Sequence, residues 1–370
     1  MTDKLGFGPV QDMTKLNITH QFDKVEDIEF MINNQKPLVV LYHGGGCCDG
    51  FTAAWIAVKH IKERIREDYQ NYAEFIPVNY GQDCDALGIP EKIKDKEVWV
   101  LDFSFPKEIM LRYHDLSRSI IVLDHHETAE KDCKDLEFCV FDMAHSGAYL
   151  TWKFLYGAQF PPSIVDYTQD RDLWTWLLPD SRAINAVIQN ADKTFDNWTD
   201  LNRRIDSEED FGEMLIEGET ILKIEEKTIQ DNIRYPVLMN IAGHIVPVVN
   251  INSKISESVG RLAVGQPFAA SFFLRQDGKY IFSLRSSKDG LNVSDIAKQL
   301  GGGGGGHRHA AGFERLYWST KLFEMFVNCS ESIEDNFHGI KSLQKCGNLA
   351  SLVCPINNRV YCSQHNPLKG

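Results

Sequence analysis

The sequence predicts an α/β protein: a parallel-sheet domain and a smaller C-terminal α/β domain, joined by a helical linker. Three observations lead there. Short apolar runs alternate with segments of helical spacing through the first half of the chain, the pattern of a parallel sheet buried on both faces. A charged amphipathic stretch, 210–234, then interrupts the alternation. A second group of strand-like runs begins near Tyr235.

The first strand is expected at 37–43, "PLVVLYH", an apolar run with no polar face. "FTAAWIAVKHIKERIRED" follows with helical spacing, placing Trp55, Ile56, Val58, Ile61 and Ile65 for packing. "AEFIPVNY", "KEVWVLDFSF" and "SIIVLDHH" read as further strands, and "SGAYLTWKFLYG" as a helix. Residues 164–204 read as helical and Trp-rich. In the second domain, "HIVPVVNIN", "PFAASFFLR" and "KYIFSLRSS" read as strands, "VSDIAKQL" as a helix, and "GGGGGGHRHAAGF" as a glycine run continuing into helix-compatible residues. The expected division is an N-terminal extension 1–36, a first domain 37–205, a helical linker 206–234, a second domain 235–316 and an accessory segment 317–370.

A net charge of −13 excludes a basic coat for long nucleic acid. The charge is uneven: 236–313 holds eight Lys/Arg against four Asp/Glu, a small excess suited to an anionic ligand. No apolar run is long enough for a transmembrane helix, and the polar N-terminal segment has neither signal nor transit character. A cytoplasmic location and no membrane partner are the expectation. Nine cysteines in such a chain read as free thiols or metal ligands. The spacing of Cys329, Cys346, Cys354, Cys362 and His365 is not a standard zinc pattern.

Strand ends in the first domain offer His43, Cys47 and Asp49, then Asp102, then Asp124, His125 and His126; Asp170 and Asp172 follow later in the chain. In a parallel α/β sheet, ligands sit outside the carboxyl ends of the strands. Carboxylates and imidazoles together are the ligand set of Mn²⁺, and also of Fe²⁺, Co²⁺ or Zn²⁺. Any one of these residues alone reads as a cap or turn. Two adjacent histidines after a buried strand, repeated by carboxylates at other strand ends, read as a metal site.

"VLDHHE" resembles the signature of the DHH phosphoesterase superfamily. "YHGGGCCDG", "VWVLDFSFP" and "YTQDRDLW" resemble its first, second and fourth motifs, and "GGGGGGHRHAAGF" resembles the glycine-rich signature of the DHH-associated C-terminal domain. The resemblance implies two divalent ions, Mn²⁺ first, with Co²⁺, Fe²⁺ or Zn²⁺ as alternatives. It implies His43, Asp49, His125 and Asp170 as ligands and Asp102 as the bridging carboxylate. His126 would face the substrate phosphate, and Asp124 would support the site. Trp174 follows Asp170 at the family's spacing, so Asp172 is assigned a structural role, paired with Arg171 or Arg182. The sequence departs from the first motif at Cys47, where the family has aspartate. The thiolate either coordinates, biasing the site toward softer metals, or Cys47 is only a small residue there.

In the second domain the resemblance assigns substrate binding to Arg285, Gly304, Gly305, Gly306, His307, Arg308 and His309. Successive glycine N–H groups can cradle phosphate, and Arg can bind it bidentately. The family-level expectation is a metal-dependent phosphodiesterase or exonuclease acting on single-stranded or short oligonucleotides. A phosphatase of a small nucleotide, a cyclic-dinucleotide phosphodiesterase and a non-catalytic nucleotide-binding scaffold are the rivals. A homodimer stays open.

Overall fold

The computed structural model describes residues 36–64, 69–301 and 304–315, with the backbone of 352–353 and 360–361. It divides into two compact units, 1–223 and 224–370. Residues 1–35 of the N-terminal extension and the side chains of Cys329, Cys346, Cys354, Cys362 and His365 lie outside the described residues.

The first unit is built on five parallel strands: β1 (Leu38–His43), β2 (Ala73–Val78), β3 (Glu97–Leu101), β4 (Ser119–Asp124) and β5 (Cys139–Phe141), in the order β2-β1-β3-β4-β5. Successive side chains of a strand point to opposite faces. In β1, Leu38 and Val40 pack into one core with Trp99, Leu101, Ile121 and Leu123, while Val39 and Leu41 pack into the other with Val98, Val100, Ile120 and Val122. Both faces are dry, so these strands carry no alternation of apolar and polar residues. Truncating a fully buried leucine such as Leu41 to alanine costs about 2–5 kcal/mol by the usual core rule.

Helix α1 (Cys48–Arg64) follows β1. The short helices α2 (Tyr69–Tyr72), α3 (Ile89–Ile93), α4 (Lys107–Leu116) and α5 (Glu127–Cys133) lie between strands. Then come α6 (Gly147–Tyr156), α7 (Ser163–Asp172), α8 (Ser181–Asn190) and α9 (Phe195–Asp206). Ser146 caps α6, its Oγ accepting from Tyr149 N at 3.3 Å. The charged linker is one long helix, α10 (Glu208–Asn232).

The strand order places the reversal of winding between β1 and β3, where open α/β sheets bind ligands at the carboxyl ends of their strands. His43 ends β1, Asp102 follows β3, and Asp124 ends β4. The fold therefore collects the chemistry-bearing residues at one edge.

The second unit is a six-stranded mixed sheet: β6 (Val237–Ile241), β7 (His244–Asn250), β8 (Ala269–Leu274), β9 (Tyr280–Arg285), β10 (Gly305–His307) and β11 (Ala310–Arg315), in the order β10-β11-β9-β8-β7-β6. Helices α11 (Ile255–Leu262) and α12 (Val293–Leu300) complete it. Two further strands, β12 (Leu352–Val353) and β13 (Val360–Tyr361), pair with each other. The sequence reading lacked β6, α11 and the hairpin. "GGHRHAAGFER" is not a glycine run leading into a helix: it forms β10, a turn at Arg308 and His309, and β11. Gly306 (φ 133°) has room for no Cβ, which would meet Ala310 O at 2.5 Å. Among the described residues, no helix is long and apolar enough to cross a membrane.

Candidate metal centre

Asp102 stands at the middle of the edge. It leaves β3 in the left-handed region (φ 56°), a conformation that aspartate tolerates better than most residues but that costs roughly 1–3 kcal/mol. The turn aims its two oxygens in different directions. Oδ2 lies 3.3 Å from His43 Nδ1 and 3.4 Å from Cys47 Sγ. Oδ1 lies 3.2 Å from His125 Nε2. The space for this turn exists because residue 147 is glycine: a Cβ there would fall 2.4 Å from Asp102 Cβ.

Beyond His125 stand two more carboxylates. Asp172 Oδ2 is 3.3 Å and Asp49 Oδ2 is 3.7 Å from His125 Nε2. Asp49 begins α1 and also accepts hydrogen bonds from Gly147 N (2.6 Å) and Ala148 N (3.1 Å), holding the positive end of α6 at the site.

Two donor groups result, each with its ligand atoms within 4.8 Å of one another: His43, Cys47 and Asp102, and Asp49, His125 and Asp172. They resemble ligand shells. His43 Nδ1, Asp102 Oδ1 and Asp172 Oδ2 are buried without a hydrogen-bond partner, a costly arrangement unless a cation completes it. The donors are oxygen and nitrogen with one sulfur, which suits Mn²⁺, Fe²⁺, Co²⁺ or Zn²⁺.

The electrostatics point the same way. Burial, then repulsion from Asp102 and Asp172, pushes the Asp49 carboxyl well above its usual range. Burial and the Asp102 charge raise Asp172 against the pull of His125. Burial also favours neutral Asp102, but the imidazoles of His125 and His43 facing it outweigh burial and hold that carboxyl well below its usual range. Burial works against charge on His125, yet Asp172, Asp102 and Asp49 together raise it to about 10. Burial, then Asp102, Asp172 and Asp49, drives the Cys47 thiol well up. Cations placed among these groups would displace protons that otherwise moderate the crowding of acids.

Asp124 and His126 form a separate unit. Asp124 Oδ1 accepts from His126 Nδ1 (2.6 Å), His125 N (2.7 Å) and His126 N (3.2 Å), and Oδ2 accepts from Ser104 Oγ (2.6 Å). Burial opposes charge on His126, but Asp124 prevails and raises its pKa. Asp124 thus orients the two histidines.

Two assignments change. Asp170 does not reach the donor groups: its carboxylate accepts from Thr175 Oγ1 (2.6 Å), Leu177 N (2.7 Å) and Leu178 N (3.2 Å). It holds the turn after α7, where Trp174 and Trp176 both adopt positive φ (59° and 55°). Asp172 is the residue that faces His125, and Arg182 stacks over Trp176 at 4.4 Å instead of pairing with it. Positions two apart on a helix lie on opposite sides, so only one of the two carboxylates can face the centre. His145 pairs with Asp142 (Nδ1 to Oδ2, 3.0 Å).

In the second unit, Arg285 donates to Leu284 O (2.8 Å) and Ser256 Oγ (2.9 Å), and His309 Nδ1 contacts Ser286 Oγ (3.0 Å). Arg308 O accepts from Val293 N. Gly304 is required for packing, since a Cβ would meet Ala297 O at 2.1 Å. Gly305 and His307 stand in the β10 ladder opposite Gly312 and Ala310. Among the described residues, Gly304, Gly305 and Gly306 serve a hairpin packed on α12.

The DHHA1 domain family matches residues 244–315, the span of β7 through β11. An uncharacterised protein, R106, of Acanthamoeba polyphaga mimivirus is 31% identical over 297 residues, 76% of this chain and 68% of that protein. The chain belongs to one family with R106 and carries a region that matches the DHHA1 domain family. RecJ of Thermus thermophilus, solved with Mn²⁺, is similar at 14% identity and a TM-score of 0.43, covering 84% of this chain and 53% of RecJ. PggH, a pGpG-specific phosphodiesterase of Vibrio cholerae, is similar at 13% identity and a TM-score of 0.40, covering 75% of this chain and 93% of PggH.

Proposed function

We propose that this DHH protein is a metal-dependent phosphodiesterase that hydrolyses short or single-stranded oligonucleotides to mononucleotides. The observation that carries the reading is the division of Asp102 between two donor groups, Oδ2 toward His43 and Cys47 and Oδ1 toward His125. A carboxylate shared in this way is how a protein holds two cations close enough to clamp one phosphoryl group.

His43, Cys47 and Asp102 would hold one ion, and Asp49, Asp102, His125 and Asp172 the other. Bound there, the ions supply Lewis acidity toward a phosphoryl oxygen and lower the pKa of water. The chain's own groups do the rest. His126, whose pKa Asp124 raises against burial, would donate from Nε2 to a non-bridging phosphoryl oxygen, where charge grows in the transition state. Asp124 fixes the ring so that this donor needs no reorganisation. The α6 N-terminal N–H groups anchor the Asp49 carboxylate at the same pocket. The net charge of −13 favours a short substrate over a long polyanion.

The test is hydrolysis of an end-labelled series, from a dinucleotide upward in DNA and RNA, with Mn²⁺. Cyclic dinucleotides and adenosine 3′,5′-bisphosphate serve as comparisons. Release of mononucleotides from the short linear members supports the reading. Turnover of the bisphosphate alone replaces it with a nucleotide phosphatase, and no turnover with Mn²⁺, Co²⁺, Fe²⁺ or Zn²⁺ removes the enzyme.

A further inference from the structure

Tyr80 lies beside the donor groups and was not among the residues the sequence marked. Its ring centroid is 5.4 Å from that of His43 and 5.7 Å from that of His126, edge to face in both cases. It leans on Phe103 at 4.5 Å. Phe103 is 2% exposed, whereas Tyr80 is 52% exposed. Tyr80 therefore rests on an aromatic floor and stays half-exposed, next to the histidine assigned to the phosphate.

The position is built, not incidental. Tyr80 follows β2 at the second place of a four-residue turn, closed by Gln82 N donating to Asn79 O at 3.2 Å. Gly81 (φ 78°) occupies the third place, where a type II turn needs positive φ. Asn79 N also donates to Gln82 Oε1 at 2.9 Å. The turn presses against the loop after β1. Gly44 N donates to Val78 O at 2.8 Å, and a Cβ on Gly45 would meet Asn79 Oδ1 at 2.4 Å. The glycines between His43 and Cys47 thus make room for the turn that carries Tyr80.

We infer that Tyr80 is a stacking platform for the base adjoining the scissile phosphate, which makes nucleotides, and not base-free phosphoesters or polyphosphate, the substrate class of this site. The inference rests on the proposed function for the location of the phosphate. A fixed, half-exposed aromatic ring is what sequence-tolerant base binding uses, each stacked base changing affinity by about 5- to 150-fold. Burial in the core would have hidden the ring as it hides Phe103. A role as a proton donor would need only the hydroxyl.

The test is binding without turnover. A 5′-phosphorylated adenine dinucleotide and analogues with either base replaced by an abasic tetrahydrofuran are titrated calorimetrically into the full chain with Ca²⁺. The comparison covers wild type, Tyr80→Ala and Tyr80→Phe. Wild type is expected to prefer the intact dinucleotide over one analogue by about ten-fold. Tyr80→Ala loses that preference, and Tyr80→Phe keeps it, which also shows that the turn is intact. Absence of the preference in wild type, or its survival in Tyr80→Ala, overturns the inference. Parallel turnover with Mn²⁺ separates the two readings: preference without hydrolysis leaves Tyr80 as the platform and removes the phosphodiesterase.

Discussion

Oδ1 of Asp102 stands 3.2 Å from Nε2 of His125, leaving Oδ2 of the same carboxyl to His43 and Cys47. One side chain therefore belongs to one donor group and touches the other. Replacing it disturbs both at once. Asp102→Asn keeps the size and loses the charge, so its turnover of a short oligonucleotide should fall by at least about 100-fold, the upper size of losses from merely supporting residues. Its thermal unfolding with metal removed should change little. Steady-state hydrolysis beside a melting curve checks this.

Asp172 and Asp170 should separate cleanly. Asp172→Asn is expected to weaken Mn²⁺ binding by about 10- to 100-fold with a small effect on folding. Asp170→Asn disturbs hydrogen bonds that fix the turn after α7, so it should cost about 1–3 kcal/mol of stability while two ions still bind. Calorimetric titration of metal and chemical denaturation of each variant distinguish the two outcomes. Loss of metal in a stable Asp170→Asn protein would reinstate Asp170 as a ligand.

Cys47 stands where the superfamily's first motif has aspartate, and its Sγ is 3.4 Å from Asp102 Oδ2. If sulfur joins the shell, the Co²⁺ protein should show a thiolate-to-cobalt charge-transfer band in the near ultraviolet. Cys47→Asp and Cys47→Ser should lack the band, and Cys47→Asp should still bind two ions. An absorption spectrum of the wild type without that band would reduce Cys47 to a spacer.

The metal-free protein has a defined pH response. His125 is raised in the folded state from 6.5 to about 10 by Asp172, Asp102 and Asp49, against burial. A raised folded pKa contributes stability that is whole below the unfolded value and disappears as pH climbs through the folded one. In chelator, then, the melting temperature should fall from pH 6.5 towards about 10. With Mn²⁺ the trend should reverse, because binding expels the proton held by His125 and tightens as it is removed. Melting curves across that window, with and without metal, decide it.

Much of the centre was legible because it sits at strand ends. Asp102 and Asp124 each close an apolar run, and "DHH" after such a run has no packing explanation. The choice between Asp170 and Asp172 was not legible: it depends on which side of the last turn of α7 faces the sheet edge, and spacing to Trp174 gave the other answer. Tyr80 was hidden because an aromatic at the end of "AEFIPVNY" reads as core. Its exposure depends on a turn closed by Gly81 and on glycines some 35 residues earlier. In the second unit, β6 and α11 span only five and eight residues, too short to stand out beside the longer strands, and the packing of Gly304 and Gly306 needs the neighbouring helix and strand to be seen. Apolar patterning set the layers, while contacts between distant loops set the details of the site.

The most direct test of the central claim is electron paramagnetic resonance of the Mn²⁺-loaded protein, with the bound metal counted on the same sample. A carboxylate shared by two ions predicts two Mn²⁺ per chain with a magnetically coupled spectrum, reduced in Asp102→Ala to at most one uncoupled ion. A wild type that binds a single Mn²⁺, or two ions with no coupling that Asp102→Ala leaves unchanged, would contradict the account.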